Sequence, residues 1–341
     1  MEPIKLIFAL MISASVLPVT THGGLTAGPN DVYLRVVDVG PGLCVVAKIP
    51  DGHHMLYDGG HWQGKKCLAA VREIVGSGDI DLLIISHSDA DHLSDADDIL
   101  KQFRVNQIIR TGFERTSDAW KNVNRRIGEE AKSSATVINL QTFSLVPGMK
   151  FQLGGAAVTV VAGWPRWDEP GPDEAERRNV ISIVAKLEYK AKAVLFTGDT
   201  VGRRKDDPDN ACKDAEKVMV DNHKSGEVSL ASDVIVAPHH GGNNASSTCF
   251  IEAVDPSFVI FSAGHQYQHP TKGAAERYIQ QGVAIDHIFR TDRGDDESGS
   301  FEWKQGSING CQDERGDDDV DIVVRDNGDV EVEYRKAQNG C

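Results

Sequence analysis

The sequence predicts an α/β fold with two β-rich stretches interspersed with helices, either a four-layer αββα sandwich or another α/β arrangement. Three observations predict it. Short apolar runs bounded by Gly, Pro or Asp recur along most of the chain. Segments with helical spacing separate several of them. The sequence shows no 20–50-residue repeat and no long low-complexity linker, which sets solenoids and arrays aside.

Taken in order, Val32–Val39, Cys44–Ile49 and Met55–Tyr57 read as strands. His53 and His54 fall in the expected hairpin turn and read as surface residues. Residues 66–76 (KCLAAVREIVG) have helical spacing and end in glycine, a helix stop. Asp81–Ile85 is short and mostly apolar, as a strand buried on both faces should be. Leu93–Phe103 reads as a helix, 106–110 as a strand and 115–132 as a polar, exposed helix. Strands follow at 136–139, 150–153, 157–162, 180–187 and 192–197. Residues 201–231 are polar and read as an insertion or surface excursion. Val234–Ala237, Phe258–Phe261 and Ile285–Phe289 are further strands, with a helix at 273–281 between the last two. Val320–Val324 and Val330–Tyr334 alternate apolar and polar residues around Asp326-Asn327-Gly328, a strong hairpin signal.

A chain of 341 residues allows one large domain or two ordinary ones, and its 40% hydrophobic and 26% charged residues are globular values. Lys5 followed by the apolar Leu6–Leu17 reads as a secretory signal over residues 1–22, too short for a comfortable span. The expected division is therefore a signal peptide at 1–22, one folded domain at 30–291 and an acidic extension with a hairpin at 292–341. The expected location is secreted or periplasmic, with no membrane span after cleavage. The net charge is −15, and residues 292–341 alone contribute 15 acidic against 6 basic residues. Such a balance argues against coating nucleic acid, which leans on Lys and Arg, but not against a local pocket for an anion. The 6 cysteines form no C-x-x-C pair, so thiolate zinc knuckles and thioredoxin-type sites are set aside. An exported protein favours disulfides, and Cys311 with Cys341, which flank the hairpin, is the preferred pair. Cys44 lies in an apolar run and reads equally well as a buried free thiol.

The chemistry is concentrated at three strand ends. Ile84–Leu93 packs His87, Asp89, Asp91 and His92 into six residues directly after a buried strand. Two imidazoles and two carboxylates suit a divalent cation. Alone, the segment also reads as a solvated acidic loop with Asp91 or Ser94 capping a helix. Ala193–Thr197 ends in Gly198-Asp199-Thr200, and Val234–Ala237 ends in Pro238-His239-His240-Gly241-Gly242. Three apolar strands that each present His or Asp at the end point to one shared metal site.

These motifs, in this order, resemble the metallo-β-lactamase superfamily, and within it the hydrolase domain of ComEC-type DNA-uptake proteins. Asp38-Val39-Gly40-Pro41-Gly42 resembles that branch's opening turn, and Leu56-Tyr57-Asp58-Gly59-Gly60 its second strand end. Ser86–His92 matches the S-H-x-D-x-D-H form of the metal motif. Asn179–Ser182 resembles the N-x-x-S stretch, Thr197-Gly198-Asp199 the T-G-D motif, His239-His240-Gly241 the H-H-G motif, and Gly264–Pro270 the late H-P motif. The chain departs from the β-lactamases in carrying Asp89 where they usually have His, and Asn179 stands about where a third first-site histidine would be sought. No segment corresponds to the transmembrane channel of the uptake proteins.

The resemblance implies a four-layer αββα metallo-β-lactamase-like sandwich with a C-terminal hairpin extension. It implies two divalent ions, Zn²⁺ or Mn²⁺, with Fe also suited to the harder first site. His87 and Asp89 would hold one ion; Asp91, His92 and either His239 or His240 would hold the other, with Asp199 bridging. Asp91, Asp199 and His269 are the candidate catalytic residues; one of His265 and His269 would donate to a leaving-group oxygen or grip a phosphate, or else satisfy loop carbonyls. The implied reaction is hydrolysis by a metal-activated water, on a phosphodiester or other anionic small molecule in preference to a lactam, lactone or thioester. A non-catalytic binding protein that keeps the fold is the alternative of a different class. Asp58 reads as a structural acceptor that either takes hydrogen bonds from loop amides or orients a ligand histidine. Trp164, Trp167 and Tyr267 are candidate lining of a substrate cleft.

Overall fold

The computed structural model describes residues 24–61, 64–140, 146–163, 174–204, 206–208, 210–294, 299–304 and 316–336. Its elements in chain order begin with β1 (Val32–Val36), β2 (Val45–Ile49), β3 (His53–Tyr57), α1 (Lys66–Val75) and β4 (Ile80–Ile85). They continue with α2 (Ala90–Leu93), α3 (Ala96–Gln102), β5 (Val105–Arg110), α4 (Asp118–Ser133) and β6 (Thr136–Asn139). Next come β7 (Lys150–Leu153), β8 (Ala156–Ala162), α5 (Glu174–Val180), β9 (Val184–Tyr189) and β10 (Lys192–Phe196). The chain then runs through α6 (Asp214–Ser225), β11 (Val234–Val236), α7 (Thr248–Val254), β12 (Phe258–Phe261), α8 (Lys272–Gln280) and β13 (Ile288–Arg290). It closes with β14 (Val320–Val324) and β15 (Val330–Tyr334).

Among the described residues, fifteen strands form two sheets, with orders β15-β14-β1-β2-β3-β4-β5-β6 and β13-β12-β11-β10-β9-β8-β7. Each is antiparallel along one side and parallel along the other: β3 to β6 in the first, β10 to β13 in the second. Strand periodicity sorts the side chains into layers. On β2, Val45, Ala47 and Ile49 enter the cluster between the sheets, while Val46 faces outward with Leu68 and Val71 of α1 and Ile99 of α3. On β11, Val234 and Val236 point inward, and Ile235 faces outward to Met219 of α6, Phe250 of α7 and Tyr278 of α8. The result is the expected αββα order. Tyr57 Oη ties the sheets together by donating to the Ile183 carbonyl at 2.5 Å.

Several expectations are corrected. The stretch 201–231 is no mere excursion: α6 buries Met219 and Val220 against the second sheet and Ala215 against Val180 and Val201. Its buried Glu216 accepts from the Ser246 and Ser247 amides at 2.7 and 2.8 Å and fixes the loop after β11. The helix expected at 93–103 is split into α2 and α3 by Ser94-Asp95. The strand expected from residue 180 begins at Val184, after α5. His53 and His54 lie in β3, and His54 is buried with Nδ1 3.0 Å from the Asp79 carbonyl; the turn is at 50–52. Cys44 is not a free thiol but is bridged to Cys67, which pins α1 to the outer face of β2, and Cys212 is bridged to Cys249. The expected signal, Trp164, Trp167, Cys311 and Cys341 lie outside the described residues. The hairpin β14–β15 is part of the first sheet, with β14 pairing along all of β1.

Candidate metal centre

The parallel halves of the two sheets direct their strand ends to one place, where α/β sheets generally bind ligands. β3 delivers Asp58, β4 the loop His87–His92, β10 Asp199, β11 His239 and His240, and β12 Ser262. The local backbone is unusual: Asp58, His239 and His240 have φ of 62°, 51° and 54°. Non-glycine residues held there cost roughly 1–3 kcal/mol each and persist where neighbouring contacts enforce them. Here the His239 amide donates to the Gly198 carbonyl at 3.0 Å. Gly241 must be glycine, because at its φ of 80° a Cβ would lie 2.5 Å from that of Pro270.

Four ligand atoms converge. His92 Nε2 lies 3.1 Å from Asp199 Oδ1, 3.2 Å from His240 Nε2 and 4.0 Å from Asp91 Oδ2. His240 Nε2 lies 3.4 Å from Asp199 Oδ1 and 3.7 Å from Asp91 Oδ2. Ligands about 2.1 Å from a tetrahedral cation are separated by about 3.4 Å, so these separations bracket that value. His87 Nε2 is buried, has no hydrogen-bond partner and lies 3.8 Å from Asp199 Oδ2.

The far nitrogens show why these rings aim inward. His92 Nδ1–H donates to Asp58 Oδ2 at 2.8 Å, and His240 Nδ1–H to the Ser262 carbonyl at 2.6 Å. Ser86 Oγ donates to Asp58 Oδ2 at 2.7 Å and therefore accepts from His87 Nδ1–H at 3.0 Å. Each histidine is thereby set in the tautomer whose Nε2 lone pair points at the cluster. Two such lone pairs 3.2 Å apart, on His92 and His240, repel unless a cation or a proton stands between them. The donor set therefore fits a divalent ion.

The electrostatics agree. Burial alone would raise the Asp199 pKa, but the His92 and His240 charges outweigh it and hold the carboxyl well below its ordinary range. Asp91 is pulled down to about 2 against its burial by His240 and His92. Conversely, burial disfavours charge on His92 and His240, yet Asp199 with Asp58 raises the first and Asp199 with Asp91 the second. His87 is lowered by burial and by His92.

Among the expected site residues, His87, Asp91, His92, Asp199 and His240 come together. Asp89 does not join them. Its carboxylate Oδ1 accepts from Arg178 Nε at 2.6 Å and from Arg115 Nη1. His239 stands at the rim, with Nδ1–H donating to Asn244 Oδ1 at 2.8 Å and Nε2 accepting from Asn179 Nδ2 at 3.2 Å. Its Nε2 is 3.9 Å from Asp199 Oδ2. Of the histidine pair, His240 is thus the one directed at the cluster. His269 packs 5.9 Å from the His239 ring, and burial with the two neighbouring histidines depresses it to about 3, so it is neutral at ordinary pH. Ser182 of the N-x-x-S stretch accepts from the Asp199 amide at 3.1 Å.

Sequence reasoning missed His61, buried near enough to Asp91 and His240 to sense their charge, although it directly follows the Asp58-Gly59-Gly60 turn. It also missed Arg115 and Arg178, for which no local signal exists. Beside the cluster lies a cleft of about 810 Å³ whose lining includes Asn179, His239, His269, Arg204, Lys272 and Tyr267. That volume suits a small-molecule ligand or a segment of a polymer.

Residues 37–136 match the model of the metallo-beta-lactamase superfamily. Two curated proteins are similar over most of this chain. Competence protein ComA of Neisseria gonorrhoeae is 24% identical over 275 residues, which is 77% of this chain and 31% of that protein. ComE operon protein 3 of Bacillus subtilis (strain 168) is 23% identical over 233 residues, 67% of this chain and 26% of that protein. The chain thus spans less than a third of the length of these relatives. Among solved structures, the metallo-beta-lactamase fold protein YhfI from Bacillus subtilis covers 76% of this chain and 95% of its own at 10% identity, with a TM-score of 0.44. The family match and the two mixed sheets flanked by helices give the chain the metallo-β-lactamase fold.

Proposed function

We propose that the chain is an exported metal-dependent hydrolase whose substrate is a phosphodiester. The observation that carries this reading is that Asp91 and Asp199 both approach the facing Nε2 atoms of His92 and His240, beside a cleft whose lining includes Lys272. A divalent ion held there, Zn²⁺ or Mn²⁺, would supply Lewis acidity and lower the pKa of an attacking water.

The chain's own groups do the rest. Asp91 and Asp199 remain ionised at neutral pH and can accept hydrogen bonds from the attacking water. His269 is neutral, so it offers a ring N–H to a leaving-group oxygen but holds no surplus proton. Lys272 brings positive charge to the cleft for the substrate's anionic oxygens, while Arg204 there is paired with Glu176 at 3.1 Å and with Asp214. The net −15 argues against broad coating of nucleic acid, so recognition rests on the cleft. Export is supported by the two disulfides, which persist in oxidising compartments. Among the described residues no helix is long and apolar enough to cross a membrane.

The test is metal analysis of the purified protein followed by turnover of a bis-aryl phosphodiester, a cephalosporin and a thioester. The reading expects bound metal and diester turnover that Asp91→Ala abolishes. Lactam or thioester turnover without diester turnover would replace the substrate class. Absence of both metal and turnover would leave a binding protein.

A further inference from the structure

The fold has room for two ion positions, but its ligands are distributed unequally. Two groups of donors overlap, one of His87, His92 and Asp199 and the other of Asp91, His92 and His240. They share His92 Nε2, which has one lone pair and can serve one ion. With His92 assigned to Asp91, His240 and Asp199, the other position keeps His87 Nε2 and Asp199 Oδ2, 3.8 Å apart, as its histidine and carboxylate donors. Asp89, which would complete it, is turned to two guanidinium groups, Arg178 from the end of α5 and Arg115 from the loop after β5. Asn179 Nδ2 meanwhile donates to His239 at 3.2 Å, which leaves only a neutral carbonyl, the buried Oδ1, where a histidine ligand would be sought.

We infer that this chain holds a single tightly bound divalent ion, and that Arg115 and Arg178 block the second position by occupying Asp89. The inference rests on the cluster being a metal centre. Its physical basis is competition: both guanidinium groups hold Asp89 Oδ1 and Arg178 Nη2 stands 3.5 Å from Oδ2, so a second ion must share a carboxylate already committed to two cations. It must also settle beside two cationic side chains in a partly buried site, where like charges repel strongly. The two arginines and one carboxylate carry a net positive charge, so the local field that a second ion would bring is partly built into the protein.

The experiment titrates metal-free full-length protein with Mn²⁺ or Zn²⁺ and counts tightly bound ions by calorimetry and by mass spectrometry of the metal. Wild type is expected to bind one ion, and Asp89→Asn to bind one ion with less than about threefold change in affinity. The double variant R115A/R178A frees Asp89 and should gain a second binding step at least about tenfold tighter than any weak step in wild type. Should that variant fail to fold, Asp89→His serves instead, because an imidazole is not held by guanidinium groups and should recruit the second ion. Two tight ions in wild type would overturn the inference while leaving the metal centre intact. A count that stays at one in the folded double variant, or in Asp89→His, would overturn the blocking role of the arginines. No ion at all would remove both this inference and the proposed hydrolase.

Discussion

Asp89 and Asp91 sit two residues apart in one loop, yet they belong to different chemistries. Asp91 faces His92 and His240, which lower its pKa to about 2 and make it part of an anionic cluster with Asp199. Asp89 faces Arg115 and Arg178 and is neutralised where it stands. The difference teaches that a motif supplies ligand types, while elements far along the chain decide which of them remain available. Asp91 meets partners from the ends of β4, β10 and β11, where parallel strands converge. Asp89 meets cations brought by α5 and by the loop after β5, 89 and 26 residues away.

The strongest break of this comparison is Asp91→Ala. It should lose the bound ion and lower hydrolysis by about 10³-fold or more, since metal activation contributes several kcal/mol. Metal content and single-substrate kinetics check it, and a variant that keeps its ion would place Asp91 with Asp89 as a bystander. Asp58→Asn removes the acceptor that sets His92 and Ser86, and through Ser86 His87. Metal affinity should fall by about 10–100-fold with the fold intact, read by titration against a chelator.

The third prediction concerns pH. In the metal-free protein His92 and His240 have raised pKa values, so they bind protons already above pH 6.5. Ligation requires them neutral, so an ion must displace those protons. Affinity should therefore fall as pH drops through the raised values, by up to about two decades per unit. Asp91 and Asp199, both depressed, add nothing to that loss in mild acid. Titrations at about pH 8 and about pH 6 measure it, and equal affinity at both would contradict it. The smallest effect is expected from Lys272→Ala at the cleft, with KM for an anionic diester raised about tenfold or less and metal content unchanged.

Much of this was legible in the sequence, for identifiable reasons. The apolar runs ending at Ile85, Thr197 and Ala237 are strands buried on both faces, and their terminal His and Asp residues mark the site. Asp58 was legible as an orienting acceptor because it follows a strand and precedes two glycines. α6 was hidden because its buried Ala215, Met219 and Val220 are scattered among charged residues, and α7 because it spans only 7 residues. The Cys44–Cys67 bridge depends on where α1 docks, which no spacing reveals. The fate of Asp89 was illegible for the same reason, since Arg115 and Arg178 read locally as surface cations. Which of His239 and His240 faces inward depends on two successive left-handed residues, and the motif alone does not encode that.

The most direct test of the account is an anomalous-scattering map from crystals of the full chain grown with Mn²⁺. It should place an ion about 2.0–2.2 Å from Asp91, His92, Asp199 and His240 together. An ion ligated by Asp89, or no ion within reach of His92 and His240, would contradict it.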